Sequence, residues 1–384
     1  MQYRNFGNLG FKVSILGFGA MRLPADEEWQ SKLDEAVPLL RRGLDLGITY
    51  LDTAHAYGKG TNEVVVGQGI KGYDRSKLYI TTKIPAHDEE TGSAKAWREK
   101  FDLSLKRLDT PYINTILFHG LRWEEFRQVI SKPGMAFSAA RQAQAEGLVR
   151  HIGFSSHDTV EGVLELVGCG EFDAMLVQYN YLDRHNEPAI AKAGQRGMAV
   201  AIMGPVAGGR LVLPKGLVID HEGALEVKTP ELALRFVWSN PHVSVALSGM
   251  NTVQQIEENT ASANRQEAMD DTEKAFIQEL FEKNQKLADL YCTGCGYCMP
   301  CPNGVHIPEN FRYMNWFCVW GMEEEARKAY SMISADGWWM PHAGRQVGLN
   351  AEACVECGEC LPKCPQNIPI IDQLKETAAA LGKK

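Results

Sequence analysis

Four ionisable side chains follow strand-like runs in the first third of the sequence, and their types suit acid–base chemistry. One β-prone run leads into Asp52, and Tyr57 follows five residues later. Two further runs end in Lys83 and His119. A phenol with a pKa of about 10 is a poor acid at neutral pH unless a neighbouring cation favours its anion. Lys83 is the candidate for that cation.

The elements that must position these groups are predicted to form a closed (β/α)8 TIM barrel. Strand and helix patterns alternate from Ile15 onward, and eight repeats favour a closed parallel barrel over an open sheet. The strand candidates are 15–20, 49–53, 78–83, 113–118, 150–154, 174–179, 199–203 and 243–248. The helical stretches include 32–46, 94–108 and 159–167, with the last barrel helix starting near Thr252. Residues 2–14 are predicted to form an N-terminal hairpin that closes the bottom of the barrel.

The stretch Gly47–Ala54, with Tyr57-Gly58, Lys83 and His119, resembles the aldo-keto reductases closely and in order. The resemblance runs from about Gly17 to Asn259. It implies a (β/α)8 barrel, a nicotinamide cofactor (NAD or NADP) bound in extended form, and a catalytic tetrad of Asp52, Tyr57, Lys83 and His119. Taken singly, Asp52 could be a helix cap, Lys83 a solvated charge and His119 a core histidine. Four matches in order favour the tetrad.

The same resemblance implies where the cofactor binds. Two motifs, at 153–156 and 177–180, match strand ends whose polar side chains hold the nicotinamide carboxamide. The stretch 248–259 matches the loop and helix start that take the adenosine end, where a helix N-terminus offers backbone N–H groups to phosphate. The residues assigned to the cofactor are Ser155, Ser156, Gln178, Met203, Gly204, Ser248, Gly249, Met250, Gln255, Glu258 and Asn259.

Two positions depart from the family pattern. Gly249 and Gln255 stand where many relatives place Lys and Arg to clamp the 2′-phosphate of NADP, so no charged, planar fork is left for that phosphate. NAD is therefore expected to be used at least as well as NADP. Where relatives often stack an aromatic ring on nicotinamide, this chain has Met203, which can cover the ring by dispersion.

Composition narrows the class of protein. The chain has 384 residues, 45% of them hydrophobic, enough for one large core and a smaller module. The net charge is −8 and the sequence contains no block of basic residues, so nucleic acid is not an expected partner. The polar N-terminus does not resemble a secretory signal, and no apolar run is long enough to span a bilayer. A cytoplasmic location away from membranes is expected.

Nine of the ten cysteines lie after residue 290, mostly in C-x-x-C steps that are typical of a metal site in a reducing compartment. The run Cys354-x2-Cys357-x2-Cys360-x3-Cys364-Pro is the bacterial ferredoxin pattern for a 4Fe–4S cluster, and a second run spans 292–302. Since the Cys-Pro residue of each run is expected to ligate the other cluster, two ligand sets follow. One set is Cys292, Cys295, Cys298 and Cys364, and the other is Cys354, Cys357, Cys360 and Cys301. Zinc is the alternative metal.

The predicted domains are an aldo-keto reductase barrel over 1–266, a connecting amphipathic helix over 267–290, and a small, mainly helical, ferredoxin-like dicluster domain over 291–384. A second amphipathic helix is expected over 323–333. The remaining cysteines, Cys169 and Cys318, are expected to be buried and inert.

The combined prediction is an NAD(P)-dependent oxidoreductase that interconverts a carbonyl compound and an alcohol, with two 4Fe–4S clusters for electron transfer or structure. Two alternatives stay open. In one, a ferredoxin or another electron carrier is a partner and the barrel holds a flavin, although no separate flavin-binding motif is evident. In the other, the protein is a non-catalytic redox sensor that binds nicotinamide.

Overall fold

The chain divides into two units, which we call the barrel unit and the cysteine unit. The computed structural model describes residues 1–26, 30–209, 211–212, 229–265, 267–284, 292, 294–333 and 348–382. The barrel unit comprises Met1–Pro205 and Pro230–Met269, and the cysteine unit comprises Val206–Thr229 and Asp270–Lys384. The predicted three-part division at residues 266 and 290 stays a prediction.

The barrel unit contains an antiparallel hairpin and a closed barrel of eight parallel strands, as predicted. The hairpin pairs β1 (Tyr3–Asn5) with β2 (Lys12–Ser14). The barrel strands are β3 (Leu16–Gly19), β4 (Tyr50–Asp52), β5 (Tyr79–Ile84), β6 (Ile113–Phe118), β7 (Val149–Ser155), β8 (Ala174–Gln178), β9 (Ala199–Met203) and β10 (Val245–Ser248). They pair in chain order, and β10 closes the barrel between β9 and β3.

Helices follow the strands around the barrel. They are α1 (Leu33–Asp45), α2 (Thr61–Gly69), α3 (Ala94–Leu108), α4 (Trp123–Glu125, continued by a π turn over Phe126–Ile130), α5 (Ala136–Ala145), α6 (Val160–Gly168), α7 (Glu187–Gln195), α8 (Thr229–Ser239) and α9 (Val253–Asn264). Helices α3, α6 and α9 are each capped by a side-chain hydroxyl that accepts a hydrogen bond from a backbone N–H of the first turn. The capping residues are Ser93, Thr159 and Thr252 respectively. The predicted helix starts agree with these caps within about one residue.

Aromatic rings fill the lower interior of the barrel. Phe6, from the hairpin, lies 4.7 Å from Tyr79 and 5.2 Å from Tyr50 between ring centroids. Both tyrosines are fully buried in one cluster with Leu117 and Val245. Because Tyr50 and Tyr79 begin their strands, these contacts place the hairpin at the N-terminal end of the barrel, as predicted.

The described part of the cysteine unit is helical apart from its cysteine loops. It contains α10 (Asp271–Asn284), α11 (Ile307–Trp320), α12 (Glu323–Ile333) and α13 (Ile370–Leu381). Phe311, Tyr330 and Leu374, from three different helices, form its core. Helix α12 matches the predicted stretch 323–333. The predicted connecting helix corresponds to α10, and its residues 285–290 lie outside the described residues.

Two further predictions concern membrane-spanning helices and the burial of Cys169 and Cys318. Within the described ranges, no helix is long and apolar enough to cross a bilayer. The prediction that Cys169 and Cys318 are buried was wrong, because both keep partial exposure. Cys169 caps the C-terminus of α6, where its thiol donates to the Leu166 carbonyl at 3.1 Å, and helix ends lie near the surface.

Candidate functional site

The predicted tetrad lies at the C-terminal ends of three neighbouring barrel strands. Side chains alternate between the two faces of a strand, so residues two or four positions apart share a face. Asp52 lies two residues after Tyr50, and Lys83 lies four after Tyr79, whose rings fill the interior. His119 likewise follows buried Leu117 by two. The alternation therefore aims the three groups into the barrel mouth.

The Lys83 ammonium is the centre of the site. It donates to Asp52 Oδ1 at 2.5 Å, to the Thr53 carbonyl at 2.8 Å and to the Tyr57 hydroxyl at 3.4 Å. An ammonium has three donors, and all three are used. Since Lys83 is only 1% exposed, its charge acts on Asp52 and Tyr57 with little screening by water.

Asp52 fixes the position of Lys83 but is itself removed from water. Burial raises the pKa of Asp52, and the Lys83 ammonium opposes that rise. Its second oxygen, Oδ2, has no hydrogen-bond partner among the described residues. The carboxylate is thus held in place mainly by one cation, which makes the pair sensitive to loss of either partner.

Tyr57 opens a tight 3-10 turn that presents its hydroxyl to Lys83. The turn spans Tyr57–Gly60, and Gly58, Lys59 and Gly60 all have positive φ. Gly60 has φ +91, a conformation that favours glycine, and a Cβ there would also displace the guanidinium of Arg107. Arg107 in turn donates to the His55 carbonyl at 3.2 Å. Arg107 therefore stabilises the turn that carries Tyr57.

The polar groups behind the turn were not predicted from the sequence. Asn62 accepts from the Thr53 hydroxyl at 2.7 Å and donates to the Ala20 carbonyl at 2.8 Å. Glu63 is fully buried, accepts from Thr82 at 2.7 Å and pairs with Arg107 at 3.4 Å. Asn and Glu side chains are ordinarily exposed. Their spacing in the sequence therefore gave no sign of this supporting role.

His119 lies beside Tyr57, with ring centroids 5.7 Å apart in an edge-on arrangement. Removal from water, together with the Lys83 ammonium and nearby His157 and His87, lowers the pKa of His119 to about 3. The imidazole is therefore neutral at physiological pH. A neutral imidazole has one N–H to donate to a carbonyl oxygen.

Three of the predicted nicotinamide-binding residues share the interior face. Ser155, Gln178 and Met203 end β7, β8 and β9, in register with interior residues of those strands. Gly204 follows with φ +64, and a Cβ there would lie 3.3 Å from the Gln178 side chain. The lack of a side chain at Gly204 keeps this part of the mouth open.

The hydroxyls of the two serines already have partners in the protein. Ser155 Oγ accepts from the Gly120 N–H at 3.0 Å. Ser156 Oγ donates to the Leu121 carbonyl at 2.7 Å and accepts from Asp158 N–H at 3.1 Å. Both hydroxyls thus fix the loop that follows His119, and their assignment to the carboxamide stays a prediction.

The stretch predicted to take the adenosine end forms the β10–α9 connection. Ser248 and Asn259 are buried and hydrogen-bonded to each other at 3.0 Å, so they join strand and helix. Met250 is buried, whereas Gln255 is exposed and its Oε1 accepts from Asn251 N–H at 2.8 Å. Glu258, partly exposed, accepts from Gln254 at 2.9 Å.

An arginine unnoticed in the sequence lies against Gly249. A Cβ on Gly249 would be 2.8 Å from Arg22 Cδ, so the glycine makes room for that stem. Arg22 ends the short 3-10 turn Ala20–Arg22 after β3. The separation of the two residues in the chain hid this contact.

In the cysteine unit, the thiols form two groups. Burial raises the pKa of Cys298 to about 12, and the neighbouring Cys292, Cys295 and Cys364 add to the rise. Burial also raises the pKa of Cys360, and the neighbouring Cys354, Cys301 and Cys357 add to that rise. Each group contains three cysteines of one run and the Cys-Pro cysteine of the other. The members are the same as in the two predicted ligand sets, whose binding of clusters stays a prediction.

A backbone pairing brings the runs together. Leu349 N–H donates to the Gly304 carbonyl at 2.8 Å, and His306 N–H donates to the Leu349 carbonyl at 3.0 Å. Gly348 has φ +97, and a Cβ there would lie 2.6 Å from the Gly304 carbonyl oxygen. This close approach carries Cys301 to the second run.

The second thiol group surrounds a cavity with about 330 Å³ of empty space, counting the part open to solvent. Its lining includes Cys301, Cys354, Cys357 and Cys360, with Val305, Ile307 and Leu374 behind them. Within the described ranges, no three His, Cys, Asp or Glu side chains converge as a single metal ion requires. Four thiols around a partly apolar cavity fit a 4Fe–4S cluster in donor chemistry.

Comparison with known proteins gives two matches along the chain. Residues 15–216 match the aldo/keto reductase family, and residues 291–368 match the 4Fe-4S dicluster domain. The first match covers the strands that carry the tetrad, and the second covers all eight cysteines of the two thiol groups.

Relatives extend the first match to nearly their whole length. The chain is 28% identical to L-galactose dehydrogenase of Arabidopsis thaliana, over 75% of this chain and 96% of the relative. It is 24% identical to the NADH-specific methylglyoxal reductase of Escherichia coli, over 72% and 97%. Among solved structures, the holo aldo-keto reductase AKR11C1 of Bacillus halodurans superimposes with a TM-score of 0.60 at 27% identity, over 73% and 96%. The chain therefore belongs to the aldo/keto reductase family of oxidoreductases and carries, in addition, a 4Fe-4S dicluster domain.

Proposed function

We propose that this protein is an NAD(P)-dependent oxidoreductase that interconverts a carbonyl compound and an alcohol by hydride transfer. The observation that carries the proposal is the Lys83 ammonium, which contacts both Asp52 and the Tyr57 hydroxyl inside the barrel mouth. A buried cation on a phenol favours loss of the phenolic proton, which is what a general acid needs.

The nicotinamide, when bound, supplies the hydride to the carbonyl carbon. Tyr57 donates its proton to the oxygen on which negative charge develops, and Lys83 stabilises the phenolate that remains. Asp52 holds Lys83 in position through the buried ion pair. His119, neutral because of its lowered pKa, donates a hydrogen bond to the carbonyl oxygen and orients it.

Residues at the strand ends fit the cofactor in chemistry and placement. Gln178 carries both amide donors and an acceptor, which match a carboxamide, and Met203 offers an apolar surface for the ring. Gly204 leaves the space between them free of a side chain. Ser155, Ser156, Ser248, Gly249, Met250, Glu258 and Asn259 complete the proposed cofactor contacts.

NADH is expected to be used at least as well as NADPH. The exposed Gln255 and the bare Gly249 leave no cation at the positions of the phosphate clamp, and one relative is by name specific for NADH. The measurement is kcat/KM for each cofactor with a panel of small aldehydes and ketones. The variant Gln255→Arg should raise kcat/KM for NADPH several-fold and leave the value for NADH nearly unchanged.

Gln142→Arg, at an exposed position of α5 outside the proposed cofactor contacts, is the matched control and should change kcat/KM for neither cofactor. A strong preference of the parent protein for NADPH would contradict the expectation. Arg22, whose stem lies against Gly249, would then be the cation to replace first. Absence of any NAD(P)H oxidation with the whole carbonyl panel would refute the proposed function itself.

The cysteine unit is proposed to bind two 4Fe–4S clusters. Protein purified without oxygen should contain about eight iron and eight sulfide per chain, the content of two 4Fe–4S clusters. Cys298→Ser should lower both contents by about half or more, whereas Cys169→Ser, outside both thiol groups, should leave them unchanged. Zinc in place of iron, with no sulfide, would contradict the assignment.

We propose that the clusters exchange electrons with a carrier such as a ferredoxin.

A further inference from the structure

One side chain outside the cysteine runs contacts a thiol directly. The Asn303 amide Nδ2 donates to Cys357 Sγ at 3.7 Å, within the range for a hydrogen bond to sulfur. Asn303 belongs to Cys301-Pro302-Asn303-Gly304, and it lines the same cavity as the four thiols of the second group. It therefore reaches across from the first run to the second.

The placement of Asn303 is set by the fold. The pairing of Gly304 with Leu349 holds the segment after Cys301 against the segment that precedes Cys354. Asn303 lies between Cys301 and that pairing, so its amide is brought to Cys357 by backbone contacts. The two residues are 54 positions apart in the chain, which excludes a local turn as the reason for the contact.

Hydrogen bonds to cluster sulfurs are among the protein's means of setting a reduction potential. An N–H donor stabilises negative charge on the sulfur, and the reduced cluster carries one more negative charge than the oxidised one. The bond is therefore stronger in the reduced form. Its presence raises the reduction potential, and its removal lowers it.

From this geometry we infer that Asn303 raises the reduction potential of the cluster held by Cys301, Cys354, Cys357 and Cys360, relative to the same site without the amide. The inference depends on the proposed cluster binding. Cys357 is the exposed thiol of its group, so the amide acts at the solvent-facing side of that site. Asn303 is a tuning residue, since it acts through the ligand sulfur.

The test is a potentiometric titration of the full-length protein, followed by electron paramagnetic resonance, for the parent, Asn303→Leu and Asn303→Asp. Leucine matches the size of asparagine without its donor, and aspartate matches its shape while adding a negative charge. Asn303→Leu should lower the equilibrium constant for reduction of one cluster about three- to tenfold. Asn303→Asp should lower it further. The other cluster should change much less.

The control is Gln278→Leu, which removes an amide from an exposed position of α10. It should leave both potentials unchanged. An unchanged potential in Asn303→Leu, or an equal shift of both clusters, would overturn the inference. If Asn303→Leu loses a cluster, Asn303→Ala, which removes the amide without adding bulk or charge, decides the question. Iron and sulfide contents report separately on whether the parent binds clusters at all, so failure of the proposed function is recognised independently.

Discussion

Replacing Tyr57 with phenylalanine should lower kcat for carbonyl reduction by about 10²- to 10⁴-fold, the usual contribution of a general acid. The substitution removes only the hydroxyl that lies 3.4 Å from Lys83. The ring that borders His119 remains, so the shape of the site is kept. Nicotinamide binding, measured by fluorescence titration, should change less than about threefold, because the hydroxyl is assigned to proton transfer.

The matched control is Tyr3→Phe. Its hydroxyl also makes one hydrogen bond, to the Gly47 carbonyl at 3.0 Å, but it lies on the hairpin and is 49% exposed. Turnover of that variant should equal that of the parent. Full activity of Tyr57→Phe would remove Tyr57 as the proton donor and reopen the mechanism.

Replacing Lys83 with methionine should destabilise the barrel unit by about 3–5 kcal/mol, as expected when one partner of a buried ion pair is removed. Asp52 would keep a buried charge whose Oδ2 already lacks a hydrogen-bond partner among the described residues. The measurement is the urea midpoint, followed by near-ultraviolet circular dichroism. Lys77→Met is the control, because its side chain is 79% exposed and its ion pair spans 3.9 Å. That change should cost less than about 0.5 kcal/mol.

The loss of unfolding free energy in Lys83→Met should also depend on pH, which gives a sharper test. Burial raises the pKa of Asp52, and without Lys83 nothing opposes that rise. An acid whose pKa is higher in the folded state keeps its full stability below the unfolded value of about 3.9 and loses stability as pH rises through the folded value. The loss of stability should therefore be smaller near pH 4.5, just above the unfolded value, than at pH 8. A deficit independent of pH would exclude a stranded Asp52 carboxylate as its cause.

A second substitution separates charge from packing. Asp52→Asn in the Lys83→Met background removes the stranded charge and should restore more than half of the lost stability. It should not restore turnover, because the cation beside Tyr57 is still missing. Recovery of activity in the double variant would show that Lys83 acts only as a structural partner of Asp52.

The barrel was predictable because its signals are local and repeated. Each strand is a short apolar run, and Asp52, Lys83 and His119 stand at the ends of three of them, where the period of two decides which way they point. The helix start at Thr252 was equally readable, since a capping hydroxyl is a property of a few adjacent residues.

The parts that were missed depend on distant residues. Arg107 braces the Tyr57 turn from α3, and Arg22 fills the space beside Gly249 from the other end of the barrel unit's sequence. Neither contact corresponds to a regular spacing of residues in the sequence. The exposure of Cys169 depends on where the end of α6 lies, which an apolar pattern does not specify. The grouping of the thiols was predicted only because the Cys-Pro pattern carries that information.

The crossed arrangement of the thiols also constrains how the cysteine unit is assembled. Cys364 joins the group of Cys298, and Cys301 joins the group of Cys360, so neither group is complete until both runs have met. A filled site would close the long segment between the runs into a covalent loop, and such closure lowers the entropy of the unfolded chain as a disulfide does. Maturation would then be cooperative. Insertion of one 4Fe–4S cluster would bring together the ligands of the other cluster, and oxidative loss of either cluster would weaken the binding of both.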